Sequence, residues 1–94
     1  MEILKESRAQ IDVIDEQIID LLVARYDIVK QVASIKIEHN LQAVQSDRVE
    51  QVKNRVEKMA TEKGLDGALL RAIYTLIIDH AHVIEHELIE KGKS

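Results

Sequence analysis

Residues 7–36 read SRAQIDVIDEQIIDLLVARYDIVKQVASIK, and their apolar side chains repeat with the period of a coiled-coil seam. Counting from Leu4, one seam position holds Leu4, Ile11, Ile18 and Val32, and the position three residues later holds Ile14, Leu21, Ile28 and Ile35. This spacing predicts one helix running to about Glu38, where His39 and Asn40 break the pattern. At about 1.5 Å per residue such a helix is roughly 50 Å long, whereas a compact chain of this size has a radius of gyration of only about 13 Å. The rest of the sequence is too short to cover that rod. A second copy of the chain is expected to cover it, giving an intertwined helical homodimer.

Outward from this segment, Ser46 is expected to cap a second helix with Asp47 in its first turn. Val49, Val52, Val56 and Met59 supply its apolar stripe. Gly64 reads as a C-terminal cap and Asp66 as the N-cap of a third helix. That helix carries Leu69, Leu70, Ile73, Leu76, Ile77, Ile84 and Leu88 as its stripe and ends at Gly92. The 94 residues include no proline and three glycines, so the punctuation that sheets and irregular loops need is missing. The expected fold class is all-α, with one long and two shorter helices in a single domain spanning residues 1–94.

Composition narrows the function. A net charge of −4 with 2% aromatic residues argues against a nucleic-acid surface, which needs a basic face. The absence of cysteine excludes thiolate chemistry and disulfides and fits a reducing compartment. No secretory leader and no apolar run near the roughly 18 residues of a membrane span is recognised, so the expected location is cytoplasmic, with no membrane partner. Any anionic ligand must find its cations gathered locally.

Four cations suggest such a gathering. Arg25 occupies the seam position of Leu4, Ile11, Ile18 and Val32, which aims a permanent charge into the bundle, where it needs an anion. A carboxylate on another helix, or a register-fixing role, are the structural alternatives. Lys36 follows eleven residues later, three turns on and about 20° round, and so shares a face with Arg25, although a packed stem with a solvated ammonium is the ordinary arrangement. Arg8 lies about 25 Å before Arg25 along the axis and about 100° round, so it reaches the same small ligand only from a partner chain. Arg48 opens the second helix, where the backbone already favours an anion. His82, Glu85 and His86 spell H-x-x-E-H, an inverted zinc-protease motif, with Glu90 one turn further on. That class needs another ligand well downstream, and eight residues follow His86, so no metal is expected.

Together with SDRVEQV at 46–52 and GLDGALLRAIYTLIIDHAHVIEHEL at 64–88, the opening segment resembles the all-helical class of chorismate mutases over nearly the whole chain. The most specific features are Asp15 and Glu16 after Arg8, L-L-x-x-R from Leu21 to Arg25, and a lysine eleven residues later. The resemblance implies an intertwined homodimer with two identical sites. It implies that Arg25 and Arg48 bind substrate carboxylates, that Arg8 serves the other subunit's site, and that Lys36 donates to the ether oxygen of the breaking bond. The implied reaction is the pericyclic rearrangement of chorismate to prephenate in aromatic amino-acid biosynthesis. It is intramolecular and calls for no nucleophile, metal or redox cofactor, only for arginines that fork two carboxylates and a preorganised donor at the ether oxygen.

Departures from the family pattern bear on the substrate. Gln45 and Val49 stand where well-known relatives carry carboxylates that hold the ring hydroxyl, and Ala81 replaces a small hydroxyl residue. The Arg48 and Val49 pair looks more like the related isochorismate pyruvate lyases, which form salicylate, whereas Glu85 looks more like the mutases. The substrate is therefore read as a dianion, chorismate or isochorismate. A non-catalytic dimerisation module is the alternative of another kind, and it leaves Arg25 and Lys36 without a purpose. Glu85 matches the family's second ether-oxygen donor, but a glutamate donates only when protonated and an unperturbed one has a pKa of about 4.3, so burial must keep the proton on. On that expectation turnover falls as pH rises through neutrality and Glu85→Gln flattens the profile; a flat profile in the unaltered protein counts against it.

Overall fold

The structure, a computed structural model, describes residues 2–92. They form α1 (Glu2–Glu38), α2 (Ser46–Glu62) and α3 (Gly67–Gly92). The long heptad pattern is one unbroken helix of 37 residues. It gives the chain extents of 57 × 27 × 15 Å and a radius of gyration of 17.0 Å, well beyond the roughly 13 Å of a compact chain of this length.

α1 and α2 each stop for an identifiable reason. Asn40 takes φ 55°, and its N–H donates to the Ile37 carbonyl at 3.2 Å while Leu41 N–H donates to the Lys36 carbonyl at 2.8 Å. The same pair of bonds recurs at Gly64, φ 84°, whose N–H donates to Thr61 at 3.1 Å while Leu65 donates to Ala60 at 2.8 Å. Both are left-handed caps that satisfy carbonyls a helix end otherwise leaves orphaned. Asp66 Oδ1 accepts from Leu69 N–H at 3.2 Å and caps α3 as its sequence position suggests. At the start of α2 the cap moves by one residue. Gln45 is the extended N-cap, and Ser46 is already helical. The Gln45 side chain makes no capping bond; it turns back to donate to the Gln42 carbonyl at 2.7 Å.

α3 is the middle helix and packs against both others, while α1 and α2 do not pack on each other. Contacts along α1 and α3 advance together, from Arg25 over Tyr74 through Tyr26 on His80 to Lys36 on Glu85, so these two helices run parallel. The short turn at 63–66 makes α2 antiparallel to α3. Gly67 sits in that hairpin, where a Cβ would meet Thr61 Oγ1 at 2.5 Å and the Glu57 carbonyl at 2.9 Å. Arg71 then ties the two helices by donating to Glu50, Asn54 and Glu57. Val52, Val56 and Ile78 form the buried cluster, flanked by Val49, Leu70 and Tyr74.

The buried face of α3 differs from the expected stripe. Ile78, Ala81 and Glu85 are buried, whereas Leu69, Ile73 and Leu76 are exposed, Leu76 at 72%. The reason is the position of α3 between two neighbours: the face they cover is rotated from the most apolar one. The seam of α1 divides likewise. Arg25 and Val32 turn toward α3, while Ile14, Leu21, Ile28 and Ile35 remain exposed, Leu21 at 70%. α3 also corrects the expectation that no segment is apolar enough to span a membrane. By length and mean hydropathy, 1.2 over an 18-residue window, it qualifies. Its place between α1 and α2 covers only part of that content, since Leu69, Ile73 and Leu76 stay exposed within the chain.

Candidate active site

A cavity of about 490 Å³ opens among the three helices and the 39–45 loop. α1 contributes Arg25, Ile28, Val29, Val32 and Lys36. These include Arg25, Val29, Val32 and Lys36, a ridge at three- and four-residue steps along one helix face. Gln45, Arg48, Val49, Val52 and Arg55 come from the start and inner face of α2, and Tyr74, Ile78, Ala81, His82 and Glu85 from α3. Because α1 and α3 are parallel, Arg25 and Tyr74 lie toward one end and Lys36 and Glu85 toward the other.

Lys36 is not the solvated lysine its position near a helix C-terminus suggests. Its side chain is 13% exposed and Glu85's is 5% exposed, and Nζ donates to Glu85 Oε1 at 2.8 Å. Nζ also donates to the Ala43 carbonyl at 2.6 Å. Ala43 is itself buried, so the ammonium ties the loop to the floor of the cavity. The burial expected of Glu85 is present. Its role in the chain alone is nevertheless that of an acceptor, since the Lys36 ammonium supplies the proton of their bond.

Arg25 is half-buried, and its guanidinium lies 5.7 Å from the centroid of the Tyr74 ring. Ring faces attract cations in this geometry. Among the described residues no carboxylate pairs with it. Arg48 is exposed and donates to Gln51 Oε1 at 2.7 Å within its own helix. The lining thus holds four permanent or ordinary cations, Arg25, Lys36, Arg48 and Arg55, against the one carboxylate of Glu85. A positive hollow stands in a chain whose net charge is −4.

Seven residues singled out from the sequence therefore meet: Lys36, Glu85, Arg25, Arg48, Gln45, Val49 and Ala81. Val49 both lines the cavity and packs on the core cluster. Arg8 is exposed and lies on the first third of α1, outside this lining. Arg55 and Tyr74 were not anticipated. Arg55 had a signal, since it follows Arg48 by seven residues, two turns along the same face. The H-x-x-E-H residues separate: His82 lines the cavity, Glu85 holds Lys36, and His86 is exposed. Among the described residues no three such side chains are gathered at metal-binding range.

The sequence matches the family model for chorismate mutase type II over residues 7–86. The chain belongs to that family. A 4-amino-4-deoxychorismate mutase of Streptomyces pristinaespiralis is 32% identical over 85 residues, covering 90% of this chain and 66% of that protein. Another from Streptomyces venezuelae is 33% identical over 75 residues, covering 80% and 73%. A chorismate mutase of Methanocaldococcus jannaschii is 28% identical over 94 residues, covering 100% of this chain and 95% of that one. No solved structure gives a significant match. The chain is an enzyme of the chorismate mutase class, an isomerase.

The Lys36–Glu85 pair makes a direct prediction. Lys36→Met strands a buried carboxylate and lowers stability by about 3 kcal/mol or more, while the Lys36→Met/Glu85→Leu double variant regains most of that loss. Urea unfolding midpoints at unchanged slope read both. Equal midpoints for the single variant and the unaltered protein rule out the pair as a structural anchor.

Proposed function

We propose that this cavity rearranges chorismate to prephenate, supplying aromatic amino-acid biosynthesis in the cytoplasm, and that it works as half of an intertwined homodimer. The observation that carries the reading is Lys36, a buried ammonium held by two acceptors in the cavity that also receives Arg25 and Arg48. Both arginines present planar forks suited to the substrate's two carboxylates. Binding them places the enolpyruvyl arm over the ring, which is most of what a unimolecular rearrangement requires. As the carbon–oxygen bond breaks and the carbon–carbon bond forms, negative charge grows on the ether oxygen. Lys36 donates to it from a site where water is scarce and the interaction correspondingly strong. A preorganised donor of this kind is worth roughly 10²–10³ in rate.

Glu85 is the second catalytic group. It orients Lys36 as a carboxylate and donates to the same oxygen when it carries a proton. Gln45, Val49 and Ala81 shape the wall beside the ring. No metal or organic cofactor enters the scheme. Two of the relatives are named for an amino-substituted substrate. A protonated amine is poorly matched to a lining of four cations and one already paired carboxylate, which supports the hydroxylated substrate.

The dimer is supported by the apolar residues that one chain leaves uncovered. Ile11, Ile14, Ile18, Leu21 and Ile28 are all about half exposed or more along one helix, a stripe of the kind that marks an interface. Arg8 stands in the uncovered first half of α1, and in a two-fold assembly it enters the partner's cavity.

Purified protein given chorismate is expected to yield prephenate, and given isochorismate to yield no salicylate and pyruvate. Salicylate from isochorismate favours the lyase reading, and inertness toward both sinks both. Subunit sharing has its own test. Arg8→Ala and Arg48→Ala are each expected to be nearly inactive alone, but after co-refolding they regain about a quarter of full activity, because mixed dimers hold one intact site of two. No recovery on mixing means that Arg8 serves its own chain or none.

A further inference from the structure

The carboxylates that hold the ring hydroxyl in well-known relatives are absent here, yet the cavity contains an unused polar side chain close to where that hydroxyl belongs. His82 lines the cavity and is half-buried, and it makes no hydrogen bond or ion pair within the described residues. It precedes Glu85 by three residues, so the two side chains sit one turn apart on the same face of α3. Glu85 Oε1 is 2.8 Å from Lys36 Nζ, which places the imidazole within one helical turn of the ammonium's partner. On the mutase reading, Lys36 marks the ether oxygen. The ring hydroxyl is borne by the carbon next to the one that bears that oxygen.

The other groups at this end are already committed or apolar. Gln45 is exposed and its amide nitrogen is spent on the Gln42 carbonyl. Arg48 is bonded to Gln51. Val49 and Ala81 offer only carbon. Tyr74 lies two turns back along α3, toward Arg25. A neutral imidazole has one donor and one acceptor nitrogen, the complement of a hydroxyl that both donates and accepts.

We propose that His82 binds the substrate's ring hydroxyl and is the residue by which this site distinguishes substrates at that carbon. The proposal rests on the mutase reading and deepens it. In effect, the ring-hydroxyl contact has moved from the start of α2 to the middle of α3.

The test compares kcat/KM for chorismate and for its analogue with hydrogen in place of the ring hydroxyl, in the unaltered protein, in His82→Val and in His82→Gln. His82→Val is expected to lose about tenfold on chorismate, mainly through KM, and no more than about twofold on the deoxy analogue. His82→Gln, which keeps a donor and an acceptor, is expected to recover most of the loss. Because each variant is read as a ratio between two substrates, a general loss of folded protein cancels. Equal losses on both substrates, or none on chorismate, overturn the role of His82 while leaving the mutase reading intact. Failure of the unaltered protein to rearrange chorismate overturns that reading and this proposal with it.

Discussion

An ammonium withdrawn from water must be given acceptors, and Lys36 has two: the Ala43 carbonyl at 2.6 Å and the Glu85 carboxylate at 2.8 Å. Those two bonds join the three parts of the chain that matter most to the cavity. Lys36 belongs to the last turns of α1, Ala43 to the loop that turns the chain toward α2, and Glu85 to the buried face of α3. The loop has few other reasons to stay where it is. Its backbone leaves α1 through the left-handed Asn40, and Leu41 and Val44 are exposed. The ammonium adds a tie between α1 and the loop that leads into α2, two helices that do not pack on each other and are otherwise related through α3. On the proposed mechanism, the donor at the ether oxygen is thus also the tie that joins the loop to the cavity's other walls.

The electrostatic arrangement follows from helix direction. α1 and α3 run parallel, so Arg25 and Lys36 present one cation at each end of a cavity about three turns long. The antiparallel α2 lays Arg48 and Arg55 across the opposite side. Acidic residues outnumber basic ones in the chain as a whole, 17 to 13. The cavity reverses that balance because only Glu85 faces inward, and Lys36 is already bonded to it. The acidic excess elsewhere is used differently: Glu50 and Glu57 hold Arg71 at the α2–α3 contact, away from the cavity. Local sign, not net charge, fits the site to a dianion.

Much of this was legible in the sequence. The heptad gave the length and continuity of α1, and Gly64 and Asp66 gave the turn into α3, because caps and periodicity are local properties that one segment carries by itself. The site was partly legible for a similar reason: Arg25 is an exception on an otherwise apolar seam, and exceptions can be counted. What could not be read was the order of the layers. Nothing local says that α3 lies between α1 and α2, so its buried face was assigned by hydropathy to Leu69, Ile73 and Leu76, not to Ile78, Ala81 and Glu85. By hydropathy alone Glu85 and His82 fall outside that face; the family resemblance marked Glu85 for the site, but only the packing turns His82 toward the cavity. The Ser46 cap shifted on a smaller scale: Gln45, whose amide donates to the Gln42 carbonyl, is the N-cap, and the helix begins one residue earlier than expected.

The uncovered part of α1 bears on the site as well as on assembly. Residues 3–21 touch nothing in their own chain closely enough to be shielded, so about half of α1 folds without contributing to the single-chain core. A helix that long is poorly stabilised by propensity alone, and its apolar stripe needs a partner surface. If that surface is a second α1, the same contact that shields Ile11, Ile14 and Ile18 carries Arg8 away from its own cavity. Stability of the rod and completion of the site then depend on one association. The length of the helix, which first reads as a packing problem, becomes the distance over which one chain supplies a cation to another.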